Sequence, residues 1–149
     1  MGKERRLIGL DLGGKTIGVA VSDVSLTVAT PLETIRRTRF ARDAEQLLRL
    51  IAAYEVGGIV IGLPVSMDGG EGPRCQSVRQ FARNLLAVID LPMAFWDERL
   101  STVVVERMLI GEADMSRKRR SRVIDKLAAA YILQGALDAI GRADPVAAP

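Results

Sequence analysis

An ionisable side chain in the middle of an apolar, alternating stretch constrains this chain more than any other feature. Ile8, Leu10 and Leu12 alternate with Leu7, Gly9 and Asp11, and after Gly13-Gly14 the pattern resumes with Ile17, Val19 and Val21. A period of two on both sides of a glycine pair reads as a β-hairpin. An ionised carboxylate inside such a sheet is costly unless something positive meets it. Asp11 is therefore either half of a structural ion pair, with Lys15 or Lys126 as partner, or a ligand for a cation.

The 149 residues suffice for one domain with a real core. At 48% hydrophobic and 26% charged residues the chain reads as globular and soluble. No apolar run approaches the roughly 18 residues that span a bilayer, and no secretory segment opens the chain, so a cytoplasmic protein with no membrane partner is expected. Cys75 is the single cysteine, so no internal disulfide is possible. There is no histidine. Ser-His-Asp and Cys-His nucleophile systems are excluded, as are imidazole metal sites. Any bound metal must sit on hard oxygens, which favours Mg2+ or Mn2+.

Strands are predicted over 5–12, 16–23 and 27–36, the last at a sheet edge because Pro31 lacks a backbone donor. A helix follows from Phe40 to Tyr54 and ends at Gly57-Gly58. The short apolar run Ile59–Pro64 suits a buried parallel strand. A polar loop, a helix from Arg74 to Ile89 and a strand from Met93 to Asp97 come next. Ser101 can cap a helix over 102–110. The basic segment Ser116–Arg122 leads to a last helix over 121–141. Residues 1–141 read as one domain and 142–149 as a flexible tail. The order β-β-β-α-β-α-β-α-α implies an α/β fold, a ribonuclease-H-like mixed five-stranded sheet with helices on both faces.

That architecture brings three acids together. Asp11 lies on the central strand, Glu98 beside Asp97 at the carboxyl end of the fifth strand, and Asp125 near the start of the last helix, where Ala128 and Ala129 allow close approach to the sheet. Ligand sites in open α/β sheets form at such strand ends. Close carboxylates repel by about 4 kcal/mol per pair at ~4 Å and an effective dielectric near 20. Divalent cations relieve the repulsion, and a metal pair can clamp the attacking and leaving oxygens of a phosphodiester. Taken singly, Glu98 could pair with the adjacent helix or with Arg99, and Asp125 could complement a helix dipole.

The blocks Asp11-Leu-Gly-Gly-Lys-Thr-Ile-Gly-Val-Ala-Val-Ser-Asp23, Gly62-Leu-Pro-Val-Ser-Met-Asp-Gly69, Asp97-Glu-Arg-Leu-Ser-Thr102 and Asp125-Lys-Leu-Ala-Ala129 resemble the YqgF family, known under the names RuvX Holliday junction resolvase and pre-16S rRNA nuclease. The resemblance runs through nearly the whole chain. It implies a ribonuclease-H-like fold, Mg2+- or Mn2+-dependent phosphodiester hydrolysis, and processing of the 5′ end of ribosomal RNA precursor. Its catalytic, metal-holding acids fall on Asp11, Glu98 and Asp125. The related RuvC resolvases carry an acid on the fourth strand, which reads Ile-Val-Ile-Gly-Leu-Pro here.

Arg117, Lys118, Arg119, Arg120 and Arg122 form the densest basic cluster, just before the helix of Asp125. They suit phosphate positioning without base reading. Lys15, Arg74 and Arg99 are further candidates for contact with nucleic acid, either structured RNA or branched DNA. Arg36, Arg37, Arg39 and Arg42 form a second cluster. Ser22, Ser101 and Thr102 could also meet phosphates or order the carboxylates. Aromatic residues make up only 4%, which argues against base stacking, and Trp96 is expected to pack on a core face. Either a monomer or a homodimer fits the sequence.

Three rivals compete. Gly9-x4-Gly14-Lys15-Thr16 matches a Walker A pattern, but strand-like sequence follows where a helix is required. An actin-like kinase lobe shares an Asp-x-Gly hairpin but needs a second lobe. A non-catalytic nucleic-acid-binding module would have no use for three intact acids.

Overall fold

The computed structural model describes residues 5–100 and 117–142, the side chains of 117–122 excepted. Five strands, β1 (Arg6–Leu12), β2 (Thr16–Ser22), β3 (Ala29–Arg36), β4 (Val56–Leu63) and β5 (Met93–Asp97), form one sheet in the order β3-β2-β1-β4-β5. β1, β2 and β3 pair antiparallel, whereas β4 and β5 run parallel to β1. Helices α1 (Phe40–Ala53) and α2 (Pro73–Leu86) make the two parallel crossovers, and α3 (Arg117–Arg142) returns across the sheet. A single 3-10 turn, Glu98–Leu100, follows β5. The expected helix over 102–110 and its Ser101 cap lie outside the described residues.

The two faces of β1 carry different chemistry. Ile8, Leu10 and Leu12 join Ile17, Val19, Ile59 and Ile61 under α1 and α2, with Leu47, Val78 and Leu85 closing that core. Burial of each large aliphatic side chain contributes about 1.5–3 kcal/mol. Gly9 and Asp11 point to the opposite face, where α3 supplies Ala129, Ile132, Leu133 and Leu137. No described helix is long and apolar enough to cross a membrane.

The closeness of α3 depends on glycine as much as on its own alanines. A Cβ on Gly9 would stand 2.7 Å from the Cβ of Leu133, and one on Gly18 would land inside the backbone carbonyl of Asp125. The helix therefore rests directly on strand backbone.

Two expectations are corrected. Gly57-Gly58 does not end α1; it opens β4, where a side chain at Gly58 would strike Leu7. The helix stops instead through Glu55, which takes the left-handed conformation (φ 51°) that glycine adopts without strain. The basic cluster does not precede the last helix but forms its first turns, since α3 begins at Arg117. Pro31 lies on an edge strand as expected, where the β2–β3 register shifts.

Candidate active site

β1, β4 and β5 are parallel, so their carboxyl ends open on one side of the sheet. Asp11 lies directly opposite Gly18 on β2. Leu10 pairs with Ile61, so the next residues along β1 and β4, Asp11 and Gly62, stand side by side. Gly62 in turn pairs with Trp96. A transverse row results: Gly18, Asp11, Gly62, Trp96. It carries one carboxylate flanked by two positions without side chains.

The other two acids enter over those glycines. The backbone of Asp125 sits on Gly18, and the carboxylate of Glu98 lies 3.1 Å from where a Cβ of Gly62 would stand. Asp11 is 5% exposed and Glu98 7%, while Asp125 is half-buried. Asp11, the carboxylate of Glu98 and the backbone of Asp125 thus lie along the same face of this sheet row. Thr16 Oγ1 donates to Asp125 Oδ2 at 2.6 Å, tying the hairpin to α3 across 109 positions. Among the described residues no three acidic side chains lie close enough together to hold a metal ion between them. The donor set is oxygen throughout, which suits a hard divalent cation.

The turn that bears Glu98 is held from beside it. Asp97 Oδ1 accepts from the Arg99 backbone N–H at 2.9 Å, and the Arg99 guanidinium lies on both Asp97 oxygens, Nη2 to Oδ2 at 2.7 Å. Arg99 also donates to Met67 O at 3.4 Å, joining the turn to the loop after β4. The pairing weighed for Glu98 with Arg99 is thus an Asp97–Arg99 pairing. The Arg99 guanidinium, helped by its backbone N–H, holds the Asp97 carboxyl below the usual carboxylate range. This contribution is fully present above the ordinary value near ~3.9 and is lost as pH falls through the lower folded value. Asp97→Asn keeps an acceptor for the backbone N–H but loses the charge. It is expected to lower kcat about 10–100-fold with KM little changed, as for other groups that orient ligands from behind; steady-state kinetics distinguishes the two constants.

Other sequence candidates fall in different places. Lys15 is exposed in the β1–β2 turn. Arg74 is exposed in the first turn of α2. Ser22 is structural: its hydroxyl accepts from Leu7 N at 2.8 Å and donates to Asp23 O, at the far end of β1 from Asp11. Trp96 packs against α3 as expected, its ring meeting Gly135. The side chains of Arg117, Lys118, Arg119, Arg120 and Arg122, and residues Ser101 and Thr102, lie outside the described set. Two participants were not placed at the site by the sequence reading, Thr16, seen only in the rejected Walker A match, and Arg37, seen only as one of a basic cluster. Arg37 follows Arg36, which pairs with Thr16, so the hairpin register carries it back to the β1–β2 turn. There Nη1 donates to Gly13 O at 2.6 Å.

Comparison with known proteins bears on the family and the fold. Residues 5–139 match the family model described as RuvX: Holliday junction resolvase. A Paramagnetospirillum magneticum protein provisionally named pre-16S rRNA nuclease is 64% identical over 138 residues, covering 93% of this chain and 88% of its own length. A Rhodospirillum rubrum protein of the same name is 61% identical over 141 residues, with 95% and 88% covered. Among solved structures, Thermus thermophilus RuvC in complex with Holliday junction substrate superposes with a TM-score of 0.57 at 15% identity, over 93% of this chain and 96% of RuvC. The yeast mitochondrial Holliday junction resolvase Ydc2 gives 0.50 at 14% identity, over 92% and 79%. These two likenesses are of fold: the ribonuclease-H-like mixed sheet.

Proposed function

The chain belongs to the RuvX Holliday junction resolvase family, and from that premise we propose that Asp11, Glu98 and Asp125 are the catalytic, metal-holding carboxylates of a nuclease that matures the 5′ end of 16S rRNA precursor. The protein is a hydrolase of phosphodiester bonds. The observation that carries the site is the sheet row Gly18-Asp11-Gly62, with Asp125 and Glu98 entering over its two glycines.

Two divalent cations, Mg2+ or Mn2+, would supply an activated water and neutralise charge gathering on the phosphate oxygens. The chain's own residues do the rest. Asp11 holds the centre from a rigid strand, Glu98 approaches from the turn clamped by Asp97 and Arg99, and Asp125 is oriented by the Thr16 hydroxyl. Lys15 at the mouth steadies charge that develops on the reacting phosphate. Arg117, Lys118, Arg119, Arg120 and Arg122, as the first turns of α3, hold neighbouring backbone phosphates of a structured RNA. Residues 1–141 act as one domain in the cytoplasm, as monomer or homodimer.

Resolution of branched DNA is the second reading, favoured by the family description itself. Purified protein incubated with labelled precursor rRNA and a four-way DNA junction, side by side with Mg2+, Mn2+ or EDTA, separates the two. Trimming of the RNA with metal and none with EDTA is expected. Junction cleavage alone would shift the assignment to resolution, and a folded protein that cuts neither would overturn the nuclease reading. Reversing the charges across 117–122 is expected to weaken binding strongly and to flatten the plot of log affinity against log salt by about 0.9 per lost phosphate contact. An unaltered slope in a salt titration would show that these turns never touch the substrate.

A further inference from the structure

Directly beyond Asp11 in the chain lies a cavity of about 300 Å3, on the α2 side of the β1 tip. It is lined by Leu12, Gly13, Gly14, Arg37, Arg74, Ser77 and Val78. Two arginines and a serine line it, and among the described residues no carboxylate does. We propose that this cavity seats a non-reacting backbone phosphate of the nucleic acid whose neighbouring phosphodiester is cut at Asp11; the proposal rests on the nuclease reading given above.

Three observations support it. Arg37 is already ordered: one of its five N–H donors goes to Gly13 O at 2.6 Å, and its guanidinium carbon lies 5.2 Å from the centre of the Phe81 ring. It therefore loses little further freedom on meeting an anion, and most of its planar donor fork is left for phosphate oxygens. Arg74 is exposed, makes no hydrogen bond or ion pair among the described residues, and stands in the first turn of α2. That helix starts with Gly72 and Pro73 and has no side-chain cap, so its N-terminal field adds to the positive charge. Finally, a Cβ on Gly14 would meet nothing within 4 Å, so the turn lies open for a ligand to approach its backbone. Gly13 is two residues from Asp11, at most about 7 Å of extended chain, which places the cavity within a short run of nucleotides from the reacting bond.

The test uses full-length Asp11→Asn protein, which retains uncut substrate, with a synthetic RNA hairpin and a DNA four-way junction as probes. Each probe carries single neutral methylphosphonates at successive positions. In the better-binding probe, one position is expected to show weakened binding, and Arg74→Ala should abolish that dependence while lowering the salt slope by about 1. Arg37→Lys, which keeps the charge but loses the planar fork, should weaken the same position with the slope retained. A methylphosphonate profile and salt slope that Arg74→Ala leaves unchanged would overturn the proposal. Cleavage by the wild-type protein is scored separately. A protein that cuts but ignores Arg74 keeps the nuclease reading and loses the phosphate seat; one that binds through Arg74 but never cuts does the reverse.

Discussion

Asp11→Asn should abolish cleavage and leave the fold near wild type. Asparagine has almost the same shape, so the row between Gly18 and Gly62 stays filled. What changes is one unit of negative charge at the centre of the site. A unit charge ~4 Å from a cationic centre is worth about 4 kcal/mol at an effective dielectric near 20, which corresponds to about 10³-fold in rate. Turnover assays in saturating Mg2+ read the loss, and circular dichroism with urea melts checks the fold. Full activity in this variant would remove Asp11 from the catalytic role. A loss of activity that tracks a loss of structure would make it a structural carboxylate only.

Gly18→Ala should be the most damaging single-methyl substitution among the described glycines. The added carbon has no room: it would occupy the carbonyl of Asp125, which is helix backbone and cannot swing aside as a side chain can. Over-packing in a well-filled interior costs typically 1–3 kcal/mol and occasionally more, and rigid backbone on both sides puts this case at about 3 kcal/mol or above. Displacement of α3 also moves Asp125 off the row, and a shift of about 1 Å in a catalytic group can cost 10²-fold in rate. Gly14→Ala is the matched control, because a Cβ there meets open space; its stability should change by less than about 0.5 kcal/mol. Urea denaturation of the two variants checks the contrast. Equal midpoints would mean that α3 does not rest on Gly18.

Much of this architecture was legible because the relevant signals are local. Alternation around Gly13-Gly14 marks the β1–β2 hairpin, the unbroken apolar run around Ile61 marks the buried parallel strand, and Pro31 marks an edge. Element order alone sends the segments of Asp11 and Glu98 to the same end of the sheet and lays the helix of Asp125 over it. What sequence periodicity hides is packing between elements distant in the chain. Gly9, Gly18 and Gly62 look like flexible residues but are the floor beneath α3 and Glu98. The Thr16–Asp125 bond spans 109 positions and leaves no periodic trace. Arg37 was one arginine in a cluster until the strand register brought it to the turn after Asp11. The start of β4 was misplaced because a glycine pair after a helix is an ordinary stop signal; here Glu55 does the stopping and the glycines admit Leu7 and Arg5.

Helix α3 has 26 residues and so spans about 39 Å as one continuous rod. Its basic turns and Asp125 are separated by roughly a single turn of that rod. Gripping the basic turns therefore bears directly on the neighbouring turn that carries Asp125. If Asp125 holds a cation as proposed, thermodynamic linkage returns any free energy a polyanion gains by keeping the rod seated, factor for factor, as tighter cation affinity there.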